Sequence, residues 1–245
     1  MLELRSLPAD CARRANDLAC SSCGARAFSV CNSLDVDELG KLDAIAERMS
    51  LDAGDSLIRE GDPARHVFNI TSGSVRVYKM LADGRRQITG FLFAGDFVGL
   101  ATGDDYTFSA EAVEDATLCR FRKVDYRALI RETPTLETAL LDRANHELIA
   151  ARNQMLLLGR KTAQERIASF LLELPLKDPV RPATAGIIRL PMTRSEIADY
   201  LGLTIETVSR VFSRLKAAGV IRLISLHEVS VQQPERLRAL AEGEA

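Results

Sequence analysis

Residues 192–221 read MTRSEIADYLGLTIETVSRVFSRLKAAGVI, and the capping and turn residues in this stretch decide the fold of the C-terminal part of the chain. Thr193-Arg194-Ser195-Glu196 is a Thr-x-x-Glu capping box, in which hydroxyl and carboxylate satisfy the backbone donors that a first helical turn leaves open. The helix it opens carries Ile197, Ala198 and Leu201 on one face and stops at Gly202. Thr204 caps a second helix, with Val208, Val211, Phe212 and Leu215 at apolar helical spacing. Gly219 ends that helix, and Val220 to Val231 alternates like a short hairpin wing. Helix, glycine turn, helix and wing predict a winged helix-turn-helix whose second helix enters the major groove of DNA.

The polar face of that second helix carries the expected chemistry. Glu206, Ser209 and Arg210 stand at i, i+3 and i+4 and share a face. A Glu carboxylate accepts from cytosine N4, Arg bonds guanine O6 and N7, and Ser contacts several bases. Thr204, Ile205 and Arg214 flank these three and complete the candidate DNA-contacting set. The bland alternative is a solvated face on a structural helix. Charge is permissive: residues 188–222 hold six basic side chains (Arg189, Arg194, Arg210, Arg214, Lys216, Arg222) against three acidic ones, within a 245-residue chain of net charge −2.

Upstream, Thr162 and Glu165 form another capping box and open a helix to Leu174, followed by prolines at 175, 179 and 182 that mark a loop. Helical spacing over 125–159 includes a seam of Leu141, Ala144, Leu148, Ala151, Met155 and Leu158, spaced 3, 4, 3, 4, 3. This predicts a dimerisation helix; packing on its own domain is the alternative. Between Leu51 and Phe121, short alternating stretches such as Ser74–Tyr78 are separated by glycines at 54, 61, 73, 84, 90, 95, 99 and 103, which predicts a sandwich or barrel-like β unit. Leu34–Met49, apolar at 39, 42, 45, 46 and 49, reads as a helix.

Five cysteines are present, and four of them (Cys11, Cys20, Cys23, Cys31) lie in the first 31 residues, with Cys119 far along the chain. No run of apolar residues is long enough to span a membrane, and the N-terminus has no signal-peptide character, so a cytoplasmic location is expected. In that reducing compartment clustered cysteines indicate a metal or cofactor rather than disulfides. Cys20-x2-Cys23-x7-Cys31 plus Cys119 offers four sulfur ligands, the complement of an iron–sulfur cluster. Tetrahedral zinc and a redox disulfide are the competing uses. An enzyme finds no support: there is no phosphate loop, no nucleophile elbow, and His66, His146 and His227 are scattered.

The helix-turn-helix resembles that of the CRP/FNR regulator superfamily, and the resemblance extends over nearly the whole chain. It implies an α+β architecture: a cysteine-rich arm (1–33), a β-roll like a cyclic-nucleotide-binding jelly roll (34–124), a long dimerisation helix (125–160) and a winged helix-turn-helix (161–245). The string Ile205-Glu206-Thr207-Val208-Ser209-Arg210 is similar to the oxygen-sensing FNR branch, whereas CRP has Gly where Ser209 stands. The resemblance implies that Glu206, Ser209 and Arg210 read TTGAT-N4-ATCAA-like inverted repeats. It also implies a [4Fe–4S] cluster on Cys20, Cys23, Cys31 and Cys119, Cys11 being spare, with molecular oxygen as the signal. A homodimer and contact with RNA polymerase, through surface such as Leu81–Arg86, belong to the same expectation. No cyclic nucleotide is expected, because Asp96 stands for the family's phosphate-cassette Glu and Phe108 for its Arg. A cluster-independent regulator of the FixK kind, its cysteines binding zinc or forming a disulfide, is the alternative.

Overall fold

The structure is a computed structural model and describes residues 19–100, 103–178 and 186–244. The expected α+β architecture is present. Eight strands form the β-roll: β1 (Ala46–Leu51), β2 (Ser56–Ile58), β3 (His66–Ser72), β4 (Ser74–Met80), β5 (Arg86–Phe93), β6 (Phe97–Val98), β7 (Ser109–Ala112) and β8 (Ala116–Arg122). They make two four-stranded sheets, ordered β1-β8-β3-β6 and β2-β7-β4-β5, with antiparallel pairing throughout. Ile70, Val75, Ala110, Ala112 and Leu118 fill the space between the sheets.

Three short 3₁₀ turns, Ala19–Ser22, Arg26–Phe28 and Val30–Ser33, lead into α1 (Val36–Ala44), which Asp35 and Glu38 close with a capping box. The helix expected over Leu34–Met49 ends at Ala44. Leu39 and Leu42 supply its buried face, but from Ala46 the chain runs extended along β8, with Ala46 opposite Phe121. The apolar residues at 46 and 49 suit a strand as well as a helix, and pairing with a distant strand decides between them. Gly90, read as a turn, instead lies inside β5, next to the irregularity that places it opposite Val77 while Ile88 faces Tyr78.

The single helix expected over 125–160 is two: α2 (Lys123–Glu132) and α3 (Pro134–Arg160). Thr133 precedes proline and leaves the helical region at φ −132°, and Pro134 then opens α3 at its first turn. Pro175 does not end the next helix, α4 (Ala163–Lys177). It sits in the last turn, where the buried face of Ile167, Phe170, Leu171 and Leu174 holds the helix in place. Pro179 and Pro182 lie outside the described residues.

The C-terminal domain adds β9 (Ile187–Arg189), α5 (Arg194–Leu201), α6 (Ile205–Ala217), β10 (Ile221–Leu223), β11 (Glu228–Val231) and α7 (Pro234–Glu242). The wing is a three-stranded sheet, β10-β11-β9. The core of this domain is continuous with the β-roll: Ile88, Phe91 and Phe93 of β5 share one buried cluster with Phe170, Tyr200 and Leu201. Helix α3 joins two cores. Leu136 and Leu140 near its start are buried with the cysteine-bearing region, and Leu157 near its end is buried in the C-terminal domain. Among the described residues no helix is long and apolar enough to cross a membrane.

Candidate nucleic-acid interface and cysteine site

The helix-turn-helix is built as its local signals specify. Thr193 accepts from the Glu196 amide at 3.2 Å while Glu196 accepts from the Thr193 amide at 2.7 Å. Gly202 adopts φ 62°, ψ 42°, the left-handed geometry that ends α5 without the penalty a Cβ brings. Thr204 caps α6 by accepting from the Thr207 amide at 3.2 Å. Val208, Val211, Phe212 and Leu215 are buried, and the opposite face is open.

Thr204, Ile205, Glu206, Ser209, Arg210 and Arg214 are all exposed on that open face. Arg210 donates to the Thr207 hydroxyl at 3.2 Å, which steadies a side chain that otherwise reaches into solvent. The Glu206 carboxyl is held below its usual range by its own backbone amide, the Thr204 hydroxyl and the Arg210 charge. It is therefore an anion able to accept from a base amino group.

Two other basic residues serve the fold. The Arg194 guanidinium lies 3.6 Å from the centre of the Phe212 ring, its Nη1 is buried without a hydrogen-bond partner, and burial pulls its pKa down. It packs the two helices together, so simple charge counting overstates the phosphate-contacting surface. Arg166 of α4 donates to the carbonyls of Leu158, Lys161 and Leu201 at 2.8, 2.9 and 2.8 Å. It satisfies C-terminal carbonyls of α3 and α5 together and fastens the glycine turn to the end of α3. Nothing in its local sequence signals this.

The seam residues divide. Leu141, Leu148 and Met155 are 62%, 50% and 73% exposed, and Ala144 and Ala151 are exposed with them. Leu158 departs from the seam: it is half-buried against the C-terminal core, close to Gly202.

The structure brings the four candidate cysteines into one neighbourhood. Cys20, Cys31 and Cys119 are buried, Cys23 is half-buried, and all four are free thiols. Cys20, Cys31 and Cys119 share a cluster with Leu34, Phe97, Phe121, Tyr126, Leu136 and Leu140. Cys119 lies on β8 between Arg48 of β1 and Asn69 of β3. Burial, then the Asp43 carboxylate that accepts from its Sγ at 3.1 Å, pushes the Cys20 thiol up to about 12. Burial pushes Cys119 up to about 11 against the opposing charge of Arg48, and raises Cys31 as well. A thiolate at Cys23 raises the pKa of Cys31 and Cys119, and one at Cys31 or Cys119 raises that of Cys20. Such thiols stay protonated until a cation displaces the protons. Asn69 Oδ1 and the Tyr126 hydroxyl are buried beside this group without partners. Among the described residues no three Cys, His, Asp or Glu side chains form a set that would hold a single metal ion. Cys11 lies outside the described residues.

The arm is seated on the β-roll at Gly95, where a Cβ would stand 2.8 Å from the Phe28 carbonyl oxygen. The adjacent Asp96, at the phosphate-cassette position, accepts from the Phe93 amide at 2.8 Å and is ion-paired with Arg143 of α3. Phe108 is half-buried, packed against the β-roll core near Tyr106.

Comparison with known proteins places these features. Residues 48–133 match the cyclic nucleotide-binding domain and residues 165–240 the Crp-like helix-turn-helix domain. The chain is 40% identical to the nitrogen fixation regulation protein FixK of Bradyrhizobium diazoefficiens, over 91% of this chain and 93% of that one. It is 40% identical to the transcriptional activator protein FnrL of Cereibacter sphaeroides, over 89% and 90%. The structure of FixK2 from Bradyrhizobium japonicum superimposes with a TM-score of 0.75 at 38% identity, covering 80% of this chain and 97% of that one.

Proposed function

Because the chain belongs to the CRP/FNR family of DNA-binding transcription regulators, we propose that it is an oxygen-responsive cytoplasmic activator that binds inverted repeats of the TTGAT-N4-ATCAA type as a homodimer, and that Cys20, Cys23, Cys31 and Cys119 hold a [4Fe–4S] cluster. The observation that carries this reading is the meeting of three arm cysteines with Cys119 of β8 against the first turns of α3. The residues fit the group: the ligands are four thiols, the complement such a cluster takes, and two buried donors, the unpartnered Tyr126 hydroxyl and the Asn69 Nδ2 that stands 3.9 Å from Cys31 Sγ, lie beside them. Held by these four thiols, a cluster would supply an oxygen-labile cross-link between arm and β-roll.

The rest is done by this chain's side chains. Val30, Cys31 and Leu34 pack in one cluster with Leu136 and Leu140, so the position of the arm bears on the start of α3. The exposed seam of Leu141, Ala144, Leu148, Ala151 and Met155 begins one residue later and pairs with a second copy. Leu157, Leu158 and Arg166 then fix the end of α3 to the helix-turn-helix. Pairing of two α3 helices thereby sets the spacing of two recognition helices on DNA. Glu206, Ser209 and Arg210 read the bases, with Thr204, Ile205 and Arg214 beside them. Asp96 is engaged by Phe93 and Arg143, and Phe108 supplies no charge, so the β-roll does not take a cyclic nucleotide. Of the stretch Leu81–Arg86, the exposed loop Leu81–Arg85 faces RNA polymerase, whereas Arg86 opens β5 and is paired with Asp199.

The test is anaerobic purification. About four irons per chain and a brown visible absorbance, bleached by air and missing in Cys119→Ser, are expected. A colourless anaerobic protein with stoichiometric zinc, or one whose DNA binding follows a disulfide, overturns the cluster and favours a FixK-like regulator.

A further inference from the structure

The sheet facing the arm carries one row of side chains in register: Arg48 on β1, Cys119 on β8, Asn69 on β3 and Phe97 on β6. Residues directly opposite in antiparallel strands project to the same face, so the Asn69 carboxamide lies beside Cys119. It also reaches the arm, its Nδ2 standing 3.9 Å from Cys31 Sγ. Asn69 is 2% exposed, and its Oδ1 has no partner. A buried carboxamide that spends its donor on a weak thiol contact costs the fold desolvation and returns little. The hydroxyl of Tyr126, also near Cys31, is a second buried group without a partner. A metal-bound thiolate at Cys31 is a stronger acceptor than a thiol for the Asn69 Nδ2 donor and for the Tyr126 hydroxyl; the Asn69 Oδ1, itself an acceptor, gains nothing from it.

We propose that Asn69 is a positioning residue of the cysteine site, donating an N–H from β3 to the Cys31 sulfur and thereby setting the reduction potential of the cluster bound there. This rests on the cluster reading above. A hydrogen bond to a ligand sulfur favours the more negative, reduced cluster, so its loss lowers the potential. It also ties the arm to the sheet at a point separate from Cys119, so the arm is held by a polar contact as well as by ligation.

The experiment is a redox titration of the anaerobic holoprotein, with iron content measured alongside. Asn69→Leu replaces the carboxamide by an apolar side chain of similar shape and removes both donor and empty acceptor. With iron content at the wild-type level, its one-electron reduction equilibrium is expected to fall roughly threefold to tenfold, the latter being about 59 mV. Asn69→Gln keeps a donor on a longer stem and is expected to fall between the two. An unchanged potential in iron-replete Asn69→Leu overturns the proposal while the cluster reading stands. If Asn69→Leu fails to fold or to hold iron, Asn69→Gln and Asn69→Ser decide in the same way, unchanged potentials overturning it. A wild-type chain that binds no iron anaerobically overturns both readings.

Discussion

Arg76 of β4 donates to Glu196, the capping carboxylate of α5, at 2.7 Å, and so joins the first turn of the helix-turn-helix to the β-roll. The same guanidinium meets Glu111 at 2.5 Å, and Tyr78 donates to that carboxylate. Both partners of the Arg76–Glu196 pair are largely buried, their side chains 15% and 8% exposed. Arg76→Ala strands two carboxylates and is expected to cost about 3 kcal/mol in chemical denaturation. Arg76→Lys, which keeps a charge but not the fork, should lose less.

Arg210 is exposed and donates to the Thr207 hydroxyl, a contact on its own helix. Arg210→Ala should leave the unfolding midpoint unchanged and weaken binding to a cognate inverted repeat by roughly 1–3 kcal/mol, measured by fluorescence anisotropy at fixed salt. Wild-type affinity in this variant would remove Arg210 from the base-reading set.

Arg166 serves the carbonyls of Leu158, Lys161 and Leu201, and more distantly that of Gly202, at the junction of α3 with the glycine turn. Arg166→Ala leaves them without that donor and is expected to lower stability by about 2 kcal/mol. Because the same contacts transmit the position of α3, DNA affinity should also fall at temperatures where the variant is fully folded. A loss of stability with unchanged affinity would mean that α3 and the turn are not coupled through this residue.

Leu148 stands in the middle of the bare seam of α3, away from both cores. Leu148→Glu places like charges opposite each other if two α3 helices pair there. Sedimentation equilibrium should show dimer dissociation strengthened at least tenfold, about 1.4 kcal/mol, with the monomer fold retained. An unchanged dimer would place the interface elsewhere.

Gly95 combines φ +99° with the close approach of Phe28. Gly95→Ala is strained twice, by the backbone and by the arm it displaces. Iron content after anaerobic preparation should fall while strand pairing in the β-roll, followed by hydrogen exchange, persists. Normal iron loading would show that the arm does not need this seat.

The parts legible in the chain were those written in short range. Thr193 and Glu196, Gly202 and Thr204 each act within about one helical turn, so their roles survive any tertiary context that lets the helices form. Thr133-Pro134 was equally local, yet the apolar period runs across it and hides the break between α2 and α3. Ala46 and Met49 fit a helix until β8 is present to pair with. Arg194 counts as a cation in sequence and becomes packing once Phe212 lies under it.

By itself, then, the sequence determined the helix-turn-helix and the buried faces of its helices, because caps, glycine turns and apolar periods act between neighbours. It also supplied the cysteine spacing within the arm. Only the tertiary structure decided that Cys119 joins Cys20, Cys23 and Cys31, that Asn69 reaches Cys31, that Leu158 leaves the seam, and that Arg76 and Arg166 bind the reading helices to the rest. Those contacts join residues on different elements, many of them far apart in the chain. Nothing in a local pattern can carry such a pairing, since it depends on how two sheets and α3 come together.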